Sequence, residues 1–194
     1  MPAQVVNYDS AGAELAKPAS YAGIYNVNVR QSAATAAGAA VWAIYNSSST
    51  VKVMIRSAWF QLLFDGTAAA TLMKYELVKY TGVTAFSGGS LVTPMHKRSS
   101  LSGAVVAVAR VLDTGLTLTG GTAQAIIQVG TMGRVTQTTT NFQSVISMPL
   151  GANERGTINA MAIELAQNEA LALRQTVTSV IGDNVIGYVE TAEN

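Results

Sequence analysis

The sequence predicts an all-β protein built as a two-sheet sandwich. From residue 20 onward, short apolar runs recur along the chain, and several alternate apolar and polar residues with a period of two. That period is typical of strands with one buried and one exposed face. Clusters of Gly, Asn, Asp and Ser separate the runs, as turns do in sandwiches and barrels.

The N-terminal segment differs from the rest of the chain. Residues 1–19 contain two of the four prolines, few large apolar residues and no sustained periodicity. We therefore expect an extended N-terminal arm over 1–19 and a single β-sandwich domain over 20–194. A short helix over 11–16 is compatible with the arm, since it would end before Pro18. Such arms either fray or dock on a neighbouring subunit, and the sequence leaves both open.

The first half of the domain contains four predicted strands. Residues 21–29 alternate, and 41–45 form a compact apolar run. Residues 51–64 alternate at first but become apolar on both faces from Trp59, which predicts a strand that ends buried on both sides. Residues 71–80 form a cleaner strand pattern, with Met73, Tyr75 and Leu77 on one face and Lys74 and Glu76 on the other. Because Asp65-Gly66 is a turn signal between the last two runs, they are predicted to form a β-hairpin.

The second half continues the strand pattern. A continuous apolar run at 104–112 is followed by a predicted turn at 113–115 and a short strand at 116–118. Residues 124–129 alternate again, which predicts another half-buried strand. The polar tract 136–141 is predicted to be a loop.

The region near the C-terminus is ambiguous. Residues 157–177 are rich in good helix formers, so propensity alone allows a helix. The interruption at 167–169 favours two strands joined by a turn at Asn168 instead. A last strand is predicted over 185–191, which gives about eight to nine strands in total and no secure helix. That number suits a jelly roll.

Composition restricts the possible functions. Of 194 residues, 12% are charged and 49% apolar, and the formal net charge is +1. A nearly neutral chain offers no electrostatic basis for binding nucleic acid or an anionic membrane. No run approaches the roughly 18 apolar residues of a membrane span, and the N-terminus does not resemble a secretory signal. The low charge favours a surface that faces other protein.

No catalytic, cofactor or metal site is predicted. The absence of cysteine removes disulfides and thiolate chemistry. The single histidine, His96, precedes two cations and lacks a recognisable carboxylate or nucleophile partner, so we expect a surface loop residue. Asp65, Asp113 and Asp183 all accompany turn signals, where Asp usually bonds its own backbone. The protein is therefore expected not to be an enzyme.

The aromatic residues allow two interpretations. Trp42, Trp59, Phe60 and Phe64 all lie within predicted strands, which favours core packing. A sugar-binding platform is the alternative, and it would require exposed tryptophan side chains. The solvent exposure of Trp42 and Trp59 therefore distinguishes the two.

Several segments resemble uncharacterised structural proteins of tailed bacteriophages. They are 55–71 (IRSAWFQLLFDGTAAAT), 75–77, 112–117, 168–174 and 186–190. The resemblance implies a jelly-roll domain on the virion, often a trimeric cement or decoration protein seated on the capsid lattice.

The function that this resemblance implies is structural. We expect a capsid decoration protein that binds the major capsid protein and its own copies, as a homotrimer, on a virion assembled in the host cytoplasm. Cofactors, nucleic acid and membranes are not expected partners. A tail, collar or fibre-associated protein and a carbohydrate-binding β-sandwich module remain as alternatives.

Overall fold

The computed structural model describes residues 21–30, 36–64, 71–96, 106–134, 144–148, 163–178 and 183–193. Within these ranges the chain forms twelve β-strands and no helix, so the all-β prediction is confirmed. The strands are β1 (Tyr21–Arg30), β2 (Ala40–Asn46), β3 (Val53–Phe64), β4 (Thr71–Thr81), β5 (Ala85–Val92), β6 (Met95–His96), β7 (Ala107–Thr119), β8 (Thr122–Arg134), β9 (Ser144–Met148), β10 (Ile163–Leu165), β11 (Glu169–Gln175) and β12 (Asp183–Glu193). The predicted arm, residues 1–19, lies outside the described residues.

The strands form two antiparallel sheets. The β1 sheet has the order β10-β3-β12-β1-β6, with β9 also paired to β3. The β2 sheet has the order β5-β7-β2-β11-β4-β8. The predicted number of eight to nine strands is too low, chiefly because β5, β6 and β9 were not foreseen. β6 has two residues and β9 five, and β5 is interrupted by Gly-Gly, so none carries a clear period of two.

The strand pairs are nested along the chain. β1 pairs with β12, β2 with β11, β3 with β10 and β9, and β4 with β8. The predicted hairpin between residues 51–64 and 71–80 is therefore wrong, since β3 and β4 belong to different sheets. Each strand already has partners on both sides. β3 has β12 on one side and β9 and β10 on the other, and β4 lies between β11 and β8. The predicted turn at Asp65-Gly66 lies outside the described residues.

The main core lies between the two sheets. Trp42 of β2 and Phe60 of β3 are fully buried, with ring centroids 5.9 Å apart. Tyr25 of β1 is also fully buried and donates a hydrogen bond across the core to the carbonyl oxygen of Ala107, at 2.9 Å. The carboxylate of the buried Glu193 accepts bonds from the backbone N–H groups of Val106 and Ala107. These polar contacts fasten the start of β7 to the β1 sheet.

A two-stranded ribbon, formed by β5 and β7, covers part of the outer face of the β2 sheet. The ribbon continues the β4–β8 ladder past a short break, where residues 82–84 connect β4 to β5 and residues 120–121 connect β7 to β8. Its apolar side chains pack on buried small residues of β2 and β11: Phe86, Leu116 and Leu118 lie against clusters that contain Ala40, Ala43, Tyr45, Ala170 and Ala172. Small side chains on the sheet permit this close approach, because a larger residue would displace the ribbon.

The turn predicted at residues 113–115 does not separate two strands, because these residues lie within β7. The turn signal coincides with a break in register. Gly88 pairs with Leu116, but Ser90 already pairs with Val111. Residues 112–115 therefore lie between two paired parts of β7, opposite the bulge at Gly89.

The prediction of two strands near the C-terminus is confirmed. β10 and β11 are joined by a turn in which Asn168 has φ of 63°. Asparagine tolerates this left-handed conformation better than most residues. Residues 157–162 lie outside the described residues.

Candidate interaction surfaces

The exposed hydrophobic side chains identify two surfaces. Among the described residues, three large hydrophobic side chains are exposed: Leu91 at 65%, Met95 at 52% and Tyr188 at 39%. Leu91 lies on β5 of the ribbon. Tyr188 lies on the outer face of the β1 sheet, and Met95 lies on β6 at the edge of that sheet, where its sulfur accepts a 3.8 Å hydrogen bond from the Asn26 side chain. Exposed apolar groups of this size are the usual anchors of a binding surface.

The first surface, here called the ribbon edge, is the segment 85–95, which runs from β5 of the ribbon to Met95 in β6 at the edge of the β1 sheet. β5 is the terminal strand of the β2 sheet and has β7 as its strand partner. No Asp, Glu, Lys or Arg occurs between Lys79 and Lys97, so the edge carries none of the charges that usually prevent strands from pairing between molecules. An uncharged terminal strand with protruding apolar side chains can accept another protein.

A bulge shapes the middle of the ribbon edge. Gly88 and Gly89 have φ of 80° and 57°, a region that glycine enters without steric cost. A Cβ on Gly89 would lie 2.1 Å from the carbonyl oxygen of Val111, so no larger residue fits without backbone movement. The Arg110 guanidinium donates to the carbonyl oxygen of Gly88 at 2.8 Å and lies 5.7 Å from the Phe86 ring centroid. β7 therefore holds the bulged strand in one conformation.

An ion pair occupies another part of the outer face of the β2 sheet. Glu76 of β4 and Arg174 of β11 are opposite each other in the ladder and form an ion pair at 2.6 Å. This hydrogen bond with Glu76 raises the pKa of Arg174 above its ordinary value, so the guanidinium remains charged near neutral pH. The ribbon edge, rather than this ion pair, is where the sheet exposes a large apolar side chain, Leu91.

The second surface is an aromatic pair on the outer face of the β1 sheet. Trp59 of β3 and Tyr188 of β12 are register partners, with ring centroids 6.2 Å apart and an interplanar angle of 21°. Tyr188 is exposed and Trp59 is half-buried, while Trp42 is fully buried. Core packing is therefore confirmed for Trp42 and Phe60. Trp59 lies on the sheet surface, and the side chain of Phe64 lies outside the described residues.

The structure changes the placement of several polar residues. His96 was predicted in a loop, but its backbone ends β6 and pairs with Gly23 of β1. Asp113 and Asp183 are predicted in turns, yet their backbones lie in β7 and β12. Asp183 pairs with Phe64 of β3, and Asp113 lies at the break in register of β7. The side chains of these three residues, and Asp65 as a whole, lie outside the described part of the chain.

The described residues contain neither a metal-binding cluster nor a membrane-spanning helix. Within the described ranges, no three His, Asp or Glu side chains come together as a group that could hold a metal ion. The same part of the chain contains no helix long and apolar enough to cross a membrane.

The fold and surfaces define an all-β sandwich protein with an uncharged edge and an aromatic face. Neither the models of known protein families nor the curated proteins contain a match to this chain. The resemblance to tailed-phage structural proteins therefore stays a prediction from sequence.

Proposed function

We propose that this chain is a structural protein of a tailed-phage virion, a capsid cement or decoration protein that acts through protein–protein contacts. Its partners would be the major capsid protein and further copies of itself on the capsid surface of a particle assembled in the host cytoplasm. The proposal is supported by the sequence resemblance, by the two-sheet sandwich and above all by the ribbon edge.

The nested strand pairs support a jelly-roll topology within this proposal. A jelly roll is a long antiparallel hairpin of eight strands, rolled so that its nested pairs divide between two sheets. The pairs β1–β12, β2–β11, β3 with β9 or β10, and β4–β8 have this arrangement. The ribbon and β6 are then an insertion between the fourth and fifth strands of the roll.

The single observation that carries the proposal is the exposure of Leu91 and Met95 in a segment without charge. Exposed apolar side chains on an uncharged strand favour association, because burying them removes apolar area from water without stripping water from a charge. At about 25 cal/mol per Å² of apolar surface, even a modest contact there stabilises a complex. The attachment would add contacts between neighbouring shell subunits and so strengthen the shell.

A homotrimer is part of this proposal. The β2 sheet ends in two terminal strands, β5 and β8, and each leaves one side of its backbone without a strand partner in the described residues. Terminal strands in this condition are normally covered or paired. A ring of three copies around an axis would cover them while satisfying closed symmetry.

Reconstitution on particles that lack the protein tests the proposal. We expect the double variant Leu91→Ser/Met95→Ser to bind at least about tenfold more weakly, since it removes both exposed apolar anchors. The matched control is Tyr188→Ser, which removes an exposed apolar side chain from the other surface. Bound copies per particle are measured by quantitative mass spectrometry, and melting temperatures confirm that each variant is folded.

The outcomes separate the alternatives. If the double variant decorates particles as fully as the unmodified chain, the ribbon edge is not the attachment surface. Occupancy at only a few copies per particle would indicate a tail, collar or fibre-associated protein. A monomer seen by electron microscopy on the assembled shell would refute the trimer.

A further inference from the structure

We propose that the outer face of the β1 sheet binds a neutral oligosaccharide on the aromatic pair, Trp59 and Tyr188. The register places this pair at the centre of the sheet, on adjacent strands β3 and β12, rather than at an edge. The proposal goes beyond the shell-binding role, which uses the ribbon edge, although the two surfaces adjoin where Met95 contacts Asn26.

The two aromatic rings are stacked in a way that is compatible with sugar binding. They are nearly parallel, at 21°, and Tyr188 is exposed to solvent. A pyranose has a face of C–H groups that packs on an aromatic ring, while tyrosine also supplies a hydroxyl group for hydrogen bonding. Two neighbouring rings offer a longer apolar platform than either ring alone.

Polar side chains surround the pair on the same face. Asn26 of β1 is the register partner of Tyr188, and both Asn26 and Asn28 are exposed. On the other side of the pair, Ser57 donates a 3.5 Å hydrogen bond to the Glu190 carboxylate. Amides donate and accept hydrogen bonds, and carboxylates accept them, which matches the hydroxyl groups of a sugar.

The same composition favours a glycan over a protein partner. The exposed neighbours of the pair are the polar residues Asn26, Asn28 and Arg56, whereas the aliphatic residues Ile24 and Ile186 are half-buried. The exposed Met95 lies beyond Asn26, on the edge strand β6. A protein-binding centre normally exposes apolar groups around its aromatic anchors and excludes water from them. Here an aromatic centre is bordered by amides, as in sites that bind a ligand with many hydroxyl groups.

Tryptophan fluorescence makes a direct test possible. The chain has two tryptophans, and Trp42 is fully buried, so a ligand-induced change in iodide quenching reports on Trp59. The full-length protein is titrated with maltohexaose, cellohexaose, mannohexaose and chitohexaose up to about 10 mM, above the millimolar range of weak ligands. We expect at least one of the four to protect Trp59 and to give a binding isotherm by calorimetry.

Variants decide whether this face is the site. Tyr188→Ala should weaken binding of that sugar about tenfold, because it removes one ring of the platform. Leu91→Ala, an exposed apolar change on the ribbon edge, should leave it unchanged. The proposal is overturned if none of the four sugars binds, or if binding survives Tyr188→Ala undiminished. It is also overturned if Tyr188→Ala reduces attachment to particles without any sugar binding, since the face would then contact protein.

Discussion

Replacing Ala43 with leucine tests the packing of the ribbon against the outer face of the β2 sheet. Ala43 is fully buried on the outer face of β2, in a cluster against which Phe86, Leu116 and Leu118 pack. Its register partners are Ala172 and Arg110, so two adjacent strands fix its backbone. The longer leucine side chain has no free volume to enter, and the ribbon must move outward.

The expected cost follows from overpacking a dense interior. Forcing extra methyl and methylene groups into such a site costs about 1–3 kcal/mol. For a domain of this size, about 2 kcal/mol corresponds to a fall in melting temperature of roughly 4–8 °C. Differential scanning calorimetry measures the fall, and hydrogen exchange shows where protection is lost. We expect the largest loss of protection at β5 and the second half of β7.

Ala123→Leu is the matched control, because Ala123 is exposed on β8. It should change the melting temperature little, as surface substitutions usually do. An unchanged melting temperature for Ala43→Leu, or uniform loss of protection across both sheets, would refute the inference that the ribbon rests on this alanine.

Two further pairs of variants test local features. Gly89→Ala should destabilise by about 2–4 kcal/mol, because it combines a positive φ with a backbone contact of 2.1 Å. Gly38→Ala, also at positive φ but with no atom within 4 Å, should cost only about 1 kcal/mol in thermal unfolding. Glu76→Gln should cost about 1–3 kcal/mol by removing the carboxylate that Arg174 contacts. Lys52→Met removes an ion pair in which both side chains are largely exposed, so it should cost at most about 0.5 kcal/mol in urea unfolding. Equal effects within either pair would contradict these assignments.

The wrong hairpin prediction shows that a sequence pattern can locate a strand without identifying the strand it pairs with. The alternation in residues 53–64 and 71–80 correctly indicated two strands, since alternation depends only on which side chains face the core. It carries no information about the partner strand. β3 pairs with β12, more than a hundred residues later, and β4 pairs with β8 and β11.

Only one of the two candidate surfaces could have been predicted from the sequence. The lack of charge between Lys79 and Lys97 was visible in the sequence and could have indicated the ribbon edge. By contrast, Trp59 and Tyr188 are 129 positions apart in sequence and become neighbours only through the β3–β12 register. No local pattern links two such residues.

The sequence by itself determined the all-β class, the apolar face of most strands and the turn at Asn168, because each depends on side-chain chemistry within a few residues. Tertiary structure alone decided that β5 is a strand, that the segments on both sides of residues 113–115 join in one strand, and that the ribbon covers the alanines of the β2 sheet. The physical reason is that a strand exists only when its backbone groups find partners in another strand, and those partners are distant along the chain.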